Sequence, residues 1–324
     1  MNDREVIVSI DHLKTYFQSG GSFGKKQTVK AVDDISLDIY RGETLGLVGE
    51  SGCGKSTLGR TIVKLHEPTE GRVLVNGKDI ANLSGAELKK FRKSVQLIFQ
   101  NPYASLNPRM TVGESLREPM AVHHIYSTRE AQDKRAVELL EIVGLKPDYI
   151  RRYPHEFSSG QRQRIAIART LALDPEFIIC DEPVSALDIS VQAQIINLLK
   201  QIQKELGITY LFIAHDLSMI KYISDRIGVM YMGHLVELGD RKELYEKPLH
   251  PYTQALLSAV PVPDPASGRK KQRIMLRGEH PDPFNMPSGC PFRTRCPYAM
   301  SKCASERPQF KEISGRFVAC HKAV

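Results

Sequence analysis

Gly49-Glu50-Ser51-Gly52-Cys53-Gly54-Lys55-Ser56-Thr57 stands between a short apolar run, Glu43–Val48, and a helix-forming stretch, Thr57–His66. Strand, glycine-rich turn and helix in that order complete the pattern G-x-x-x-x-G-K-[ST], a loop that cradles phosphates. Gly49, Gly52 and Gly54 let the backbone turn its N–H groups inward around phosphate oxygens, with Ser51 and Thr57 in the same cradle. The helix that follows adds the partial positive charge of its first turn. Lys55 is expected to reach the β- and γ-phosphates and Ser56 to place its hydroxyl on Mg²⁺. Cys53 fills a variable position and is assigned no role. The alternative, a chance glycine-rich turn, does not account for the full match in this setting.

Working outward, Phe177-Ile178-Ile179-Cys180-Asp181-Glu182 is an apolar strand that ends in two acids. Alone, such a pair reads as a solvated turn. With a phosphate loop in the same chain, Asp181 supplies an Mg²⁺-linked carboxylate and Glu182 one that polarises an attacking water. Other strand-like runs lie at 6–17, 31–40, 72–75 before Asn76-Gly77, 95–99 and 208–214. Helical stretches are expected over 114–123, 128–143 closed by Gly144, 160–173 and 191–206 stopped by Gly207. Apolar strands alternating with helices predict an α/β fold: a parallel sheet covered on both faces, with an antiparallel β subdomain at the start and a helical subdomain at about 101–165. After His250 the pattern weakens. Prolines at 251, 261, 263, 265, 281, 283 and 287 read as a linker into a loop-rich, cysteine-bearing tail.

Phe157-Ser158-Ser159-Gly160-Gln161, followed by Arg162-Gln163-Arg164, resembles the signature of the ABC ATPase superfamily, Leu-Ser-Gly-Gly-Gln before a basic helix. Phe157 and Ser159 depart from it, and Ser159 adds a side chain where the backbone nears the nucleotide of the opposite subunit. The resemblance implies a sandwich of two subunits around two ATP molecules, with Ser158, Gly160 and Gln161 facing the partner's γ-phosphate. Further positions match in order. Gln100 corresponds to the glutamine that meets Mg²⁺ and senses the transporter. Asp188, in Ser185-Ala186-Leu187-Asp188, lies in the loop that crosses the dimer interface. His215 corresponds to the histidine at the γ-phosphate, and Phe17, rather than Tyr16, to the aromatic that stacks on adenine. Glu182, His215 and Gln100 thus form the expected catalytic set.

Gln100–Pro108 and Lys247-Pro248-Leu249-His250-Pro251-Tyr252-Thr253 look like the corresponding segments of oligopeptide/dipeptide importer ATPases. That resemblance implies an ATPase domain over 1–255 and a family-specific tail over 256–324. It implies a paralogous ATPase partner, two transmembrane permease subunits and, indirectly, an extracellular peptide-binding protein, at the cytoplasmic face of a bacterial membrane. Nickel chelates or modified sugars are the alternative cargoes.

Composition fits this picture. No apolar run approaches the roughly 18–20 residues a membrane helix needs, and the polar start Met1–Glu5 does not read as a secretory signal. The net charge of +8 is concentrated in the tail, where 12 Lys/Arg face 5 Asp/Glu between Pro251 and Val324. A basic, cysteine-bearing tail also suits a nucleic-acid ATPase of the same superfamily. Repair relatives carry long insertions and translation relatives two ATPase units, so no nucleic-acid partner is expected. Cys290, Cys296, Cys303 and Cys320 lie together in a chain read as cytosolic, which points to a metal site rather than disulfides. The paired Cys-x-x-Cys common in zinc sites is absent. In the importer family the tail carries an iron–sulfur cluster, so the resemblance implies 4Fe–4S, with zinc as the alternative. The tail has few apolar residues for a core of its own, and nothing in the spacing ties these cysteines to the nucleotide.

Overall fold

The computed structural model describes residues 4–19, 27–101, 105–260, 274–276, 278 and 281–323. The chain forms two compact units: residues 8–39, 44–81 and 214–324 in one, residues 1–7, 40–43 and 82–213 in the other.

The first unit carries the antiparallel part. Strand Val6–Ser19 lies between Gln27–Tyr40 and Glu70–Val75, and Lys78–Asp79 closes the edge. The register runs Val8↔Val75 and Ile10↔Val73. Asn76 and Gly77 both adopt positive φ, 48° and 73°, which gives the hairpin a twist that matches its strands. Beside it, Thr44–Val48 pairs in parallel with Arg226–Tyr231. Every residue of Thr44–Val48 is buried, as a strand covered on both faces requires. Arg226–Tyr231 pairs antiparallel with His234–Asp240, Arg316–Val318 adds to that strand, and Lys311–Ile313 adds to Arg316–Val318.

The second unit has three parallel strands, Val95–Ile98, Phe177–Asp181 and Thr209–Ile213, in register Val95↔Phe177 and Ile178↔Tyr210. Its helices begin where the sequence offers caps. Thr111 and Glu114 form a reciprocal box at the start of Val112–Val122, and the Thr128 hydroxyl accepts from Ala131 N–H at the start of Arg129–Ile142. Leu116, Leu139, Leu140 and Ile165 fill the space between helices, all with no exposed surface. Gly207, at φ 67°, ends the long Ile189–Leu206 helix.

Most sequence expectations shift by a turn or less. The helix after the phosphate loop starts at Lys55 rather than Thr57, and the helix over 191–206 starts at Ile189. Helices Gly85–Ser94, Leu217–Ile223 and Arg241–Glu246 are additional, each too short or too polar to show a clear period.

The larger correction concerns Pro251. Read as the start of a linker, it is instead the first residue of helix Pro251–Ala259. A proline at this position loses no helical hydrogen bond, and the His250 ring caps the helix by accepting from Tyr252 N–H at 3.1 Å. Pro261, Pro263 and Pro265 lie outside the described residues.

The tail is not short of packing either. Phe292, 1% exposed, sits against Tyr231, Tyr252 and His250 with ring centroids 5.2, 5.4 and 5.6 Å away. Val318, on the added strand, is fully buried.

Phe292→Ala should therefore cost about 3–5 kcal/mol through the cavity it opens. Trimming of the chain beyond residue 285 by a nonspecific protease should accelerate with it. Phe317→Ala, at a ring 38% exposed, should leave melting and trimming close to wild type. Equal effects of the two substitutions would show that the aromatic plug does not hold the tail.

Candidate nucleotide site

The phosphate loop belongs to the first unit, and two of its glycines are sterically required. Gly49 has φ 158°, and a Cβ there would lie 2.2 Å from the Met230 carbonyl oxygen. Gly54 has φ 104°, and a Cβ there would lie 1.9 Å from the Ala31 carbonyl oxygen. The loop thus turns against two strands of its own unit and delivers Lys55 as the first helical residue.

Lys55 is 4% exposed, and its ammonium donates to the Gly49 carbonyl at 2.8 Å and the Glu50 carbonyl at 3.1 Å. These bonds hold the charge across the loop. Ser51 and Gly52 are exposed, Ser56 and Thr57 half-buried. Cys53 is buried below them, and burial raises its thiol pKa, so it packs as a small neutral group.

In the same unit Phe17 is 39% exposed and meets His66 edge-on at 5.2 Å. Tyr16 instead donates its hydroxyl to Asp33 at 2.5 Å beneath the Lys30 ammonium. Of the two rings, Phe17 is the one left open to solvent on a face. His215 is exposed just before the Leu217–Ile223 helix.

The acids belong to the second unit. Asp181 is the buried last residue of its strand, and Glu182 follows with φ 48°. A side chain in left-handed backbone is strained, and it is held here by the Glu182 N–H donating to the Ile213 carbonyl at 3.1 Å. Gln100 Nε2 donates to Glu182 Oε2 at 2.8 Å, so two of the three expected catalytic side chains meet directly. Pro102, Tyr103 and Ala104, in the loop after Gln100, lie outside the described residues.

Ser158 caps helix Ser159–Leu171. Its hydroxyl accepts from Gln161 N–H at 3.3 Å, and its own N–H donates to Gln161 Oε1 at 3.0 Å. Ser158 is exposed, and Ser159 is the first helical residue. A Cβ on Gly160 would lie 2.5 Å from Val191, which fixes the signature helix close to the start of Ile189–Leu206. Asp188 is the N-cap residue of that helix, and Ile189 beside it is 85% exposed. Signature and Asp188 loop therefore form one exposed patch of a single unit.

Sequence reasoning missed Glu50. Its carboxylate takes both arms of Arg295, at 2.7 and 3.0 Å, and its N–H donates to the Tyr252 hydroxyl at 2.9 Å. The carboxylate holds Arg295 even more firmly protonated than usual. Arg295 precedes Cys296, so the tail reaches the phosphate loop through Arg295, a contact that the sequence reading did not anticipate. No spacing rule connects residues 245 positions apart.

Cys290, Cys296, Cys303 and Cys320 line one cavity with Phe292 and Tyr298. Burial pushes the Cys290 thiol up to about 11 and raises Cys296. Among the described residues, no group of three or more Cys, His, Asp or Glu side chains is arranged to hold a single metal ion.

Comparison with known proteins agrees with this arrangement. A family profile described as "ABC transporter" matches residues 32–185, and one described as "Oligopeptide/dipeptide transporter, C-terminal region" matches residues 236–303. The chain is 60% identical over 316 residues to the putative oligopeptide transport ATP-binding protein YkfD of Bacillus subtilis, covering 97% of this chain and 95% of that one. It is 52% identical to the oligopeptide transport ATP-binding protein OppF of Salmonella typhimurium, covering 99% and 98%. Among solved structures, a dimeric ATP-binding cassette bound to ADP and phosphate matches at a TM-score of 0.65 and 30% identity, over 72% of this chain and 98% of that one. The chain belongs to the ABC transporter family, among the ATP-binding proteins that carry the oligopeptide/dipeptide transporter C-terminal region.

Proposed function

We propose that this chain binds and hydrolyses ATP to power import of oligopeptides across a bacterial cytoplasmic membrane. The observation that carries the reading is the phosphate loop itself: two glycines that admit no side chain and a lysine buried across the turn. Lys55 and the loop N–H groups bind the phosphates, Ser56 and Asp181 hold Mg²⁺, and Phe17 stacks on the base. Glu182 accepts the proton of the attacking water, Gln100 keeps the Glu182 carboxylate in place, and His215 contacts the γ-phosphate. A solved relative is a dimer bound to ADP and phosphate, which supports a two-chain arrangement here. Ser158, Gly160 and Gln161 then face the nucleotide of the partner, and Asp188 crosses the interface.

The named relatives act in oligopeptide transport, which supports a peptide cargo, permease subunits in the membrane and a substrate-binding protein outside. No helix among the described residues is long and apolar enough to cross a membrane. Ser159 stands where the signature has glycine, and this departure is what supports a paralogous ATPase as partner.

Cys290, Cys296, Cys303 and Cys320 line one cavity, and four thiols brought to one place support an iron–sulfur cluster in the tail, with zinc as the alternative. A cluster several atoms across would be held by Cys290, Cys296, Cys303 and Cys320, and when bound it cross-links the tail.

Three outcomes test this reading. Glu182→Gln keeps the hydrogen bond to Gln100 but removes the charge that takes the proton, so phosphate release should fall roughly 10²–10⁴-fold while ATP binding survives. Normal turnover would remove Glu182 from its role. Phosphate release by this chain alone should be weak and should rise when a paralogous subunit is added; full turnover as a homodimer would contradict the mixed pair. Anaerobically purified protein should be brown with about four iron and four sulfide per chain, bleached by Cys303→Ser. Colourless protein with one zinc, or with four freely titrating thiols, would contradict the cluster.

A further inference from the structure

Three parts of one compact unit converge on Glu50. Its carboxylate receives Arg295, its N–H donates to Tyr252, and its carbonyl accepts from the Lys55 ammonium. The paired side chains are 11% and 26% exposed, and the bond is bidentate, which sets it apart from an ordinary surface ion pair. Arg295 is aimed by the folded tail: its N–H donates to the Phe292 carbonyl at 3.0 Å, and the next residue is Cys296. A carboxylate is chemically out of place in a turn of N–H donors and one lysine built to receive phosphate anions. Left bare, it would repel them.

We propose that Arg295 is a positioning residue for the phosphate loop: it neutralises and orients Glu50, and through it the cysteine-bearing tail sets the loop's affinity for nucleoside phosphates. This rests on reading Gly49–Thr57 as the nucleotide's phosphate loop. The two members of the pair are not equivalent. Arg295→Gln leaves a negative charge in the phosphate loop without its guanidinium, whereas Glu50→Gln leaves a positive charge beside the loop without its carboxylate. A plain structural staple would be broken by either change to the same extent.

The test is calorimetric titration of the full-length chain with Mg·ADP, a diphosphate probe that is not turned over, with thermal melts to confirm folding. Arg295→Gln should weaken ADP binding roughly tenfold, Glu50→Gln should strengthen it by about twofold, and the double variant should recover most of the loss. Cys303→Ser should weaken binding in the wild-type background and add nothing once Arg295 is already Gln. In phosphate-release assays the Arg295→Gln effect should fall on KM for ATP and spare kcat. Unchanged ADP binding in Arg295→Gln would overturn the proposal, as would equal weakening by both single changes without rescue in the double. Additive effects of Cys303→Ser and Arg295→Gln would overturn the link to the tail. Lys55→Ala should abolish binding in every background. Should it bind ADP normally, the phosphate-loop reading itself falls, and the proposal with it.

Discussion

The constraint on which the rest depends is the turn from Val48 into Lys55. A chain can pass there only without side chains at Gly49 and Gly54, because the Met230 and Ala31 carbonyls already occupy the space a Cβ would need. Strand Thr44–Val48 and its parallel neighbour Arg226–Tyr231 fix the first of those carbonyls, and strand Gln27–Tyr40 fixes the second. The buried core beneath the loop is thus what makes the loop a rigid donor array. The buried lysine is the other half of the device. Bonded to Gly49 and Glu50, it stands across the turn, so its side chain is already ordered.

The second unit holds one carboxylate in place. Glu182 accepts a strained backbone, and Gln100 ties down its side chain. The cost of such strain is of order 1–3 kcal/mol, and it persists where the surrounding strands over-determine the position. The signature helix packs closely on the start of Ile189–Leu206 at Gly160 and Val191, next to Ser158 and Asp188.

How much of this was legible beforehand follows the range of the interactions. The phosphate loop, the acidic strand end and the signature are local patterns, and local patterns survive in a one-dimensional reading. The resemblance named Gln100 and Glu182 separately, but their hydrogen bond was not foreseen, since nothing in either segment names the other. Pro251 was misread because proline is equally at home in a linker and at the first position of a helix, and only the His250 cap decides between them. Arg295 on Glu50 and Phe292 among Tyr231, Tyr252 and His250 were invisible for a plainer reason. They join residues far apart in sequence, and a count of apolar residues says only that the tail lacks a core of its own, not what it packs against.

An oligopeptide importer must couple ATP turnover to cargo. The measurement that tests this most directly is phosphate release by the chain assembled with its permeases in lipid vesicles, with and without a peptide-loaded binding protein. The account predicts low basal release that rises when peptide is delivered, and no rise for the empty binding protein. Release indifferent to peptide, or stimulated only by a nickel chelate or a modified sugar, would contradict it.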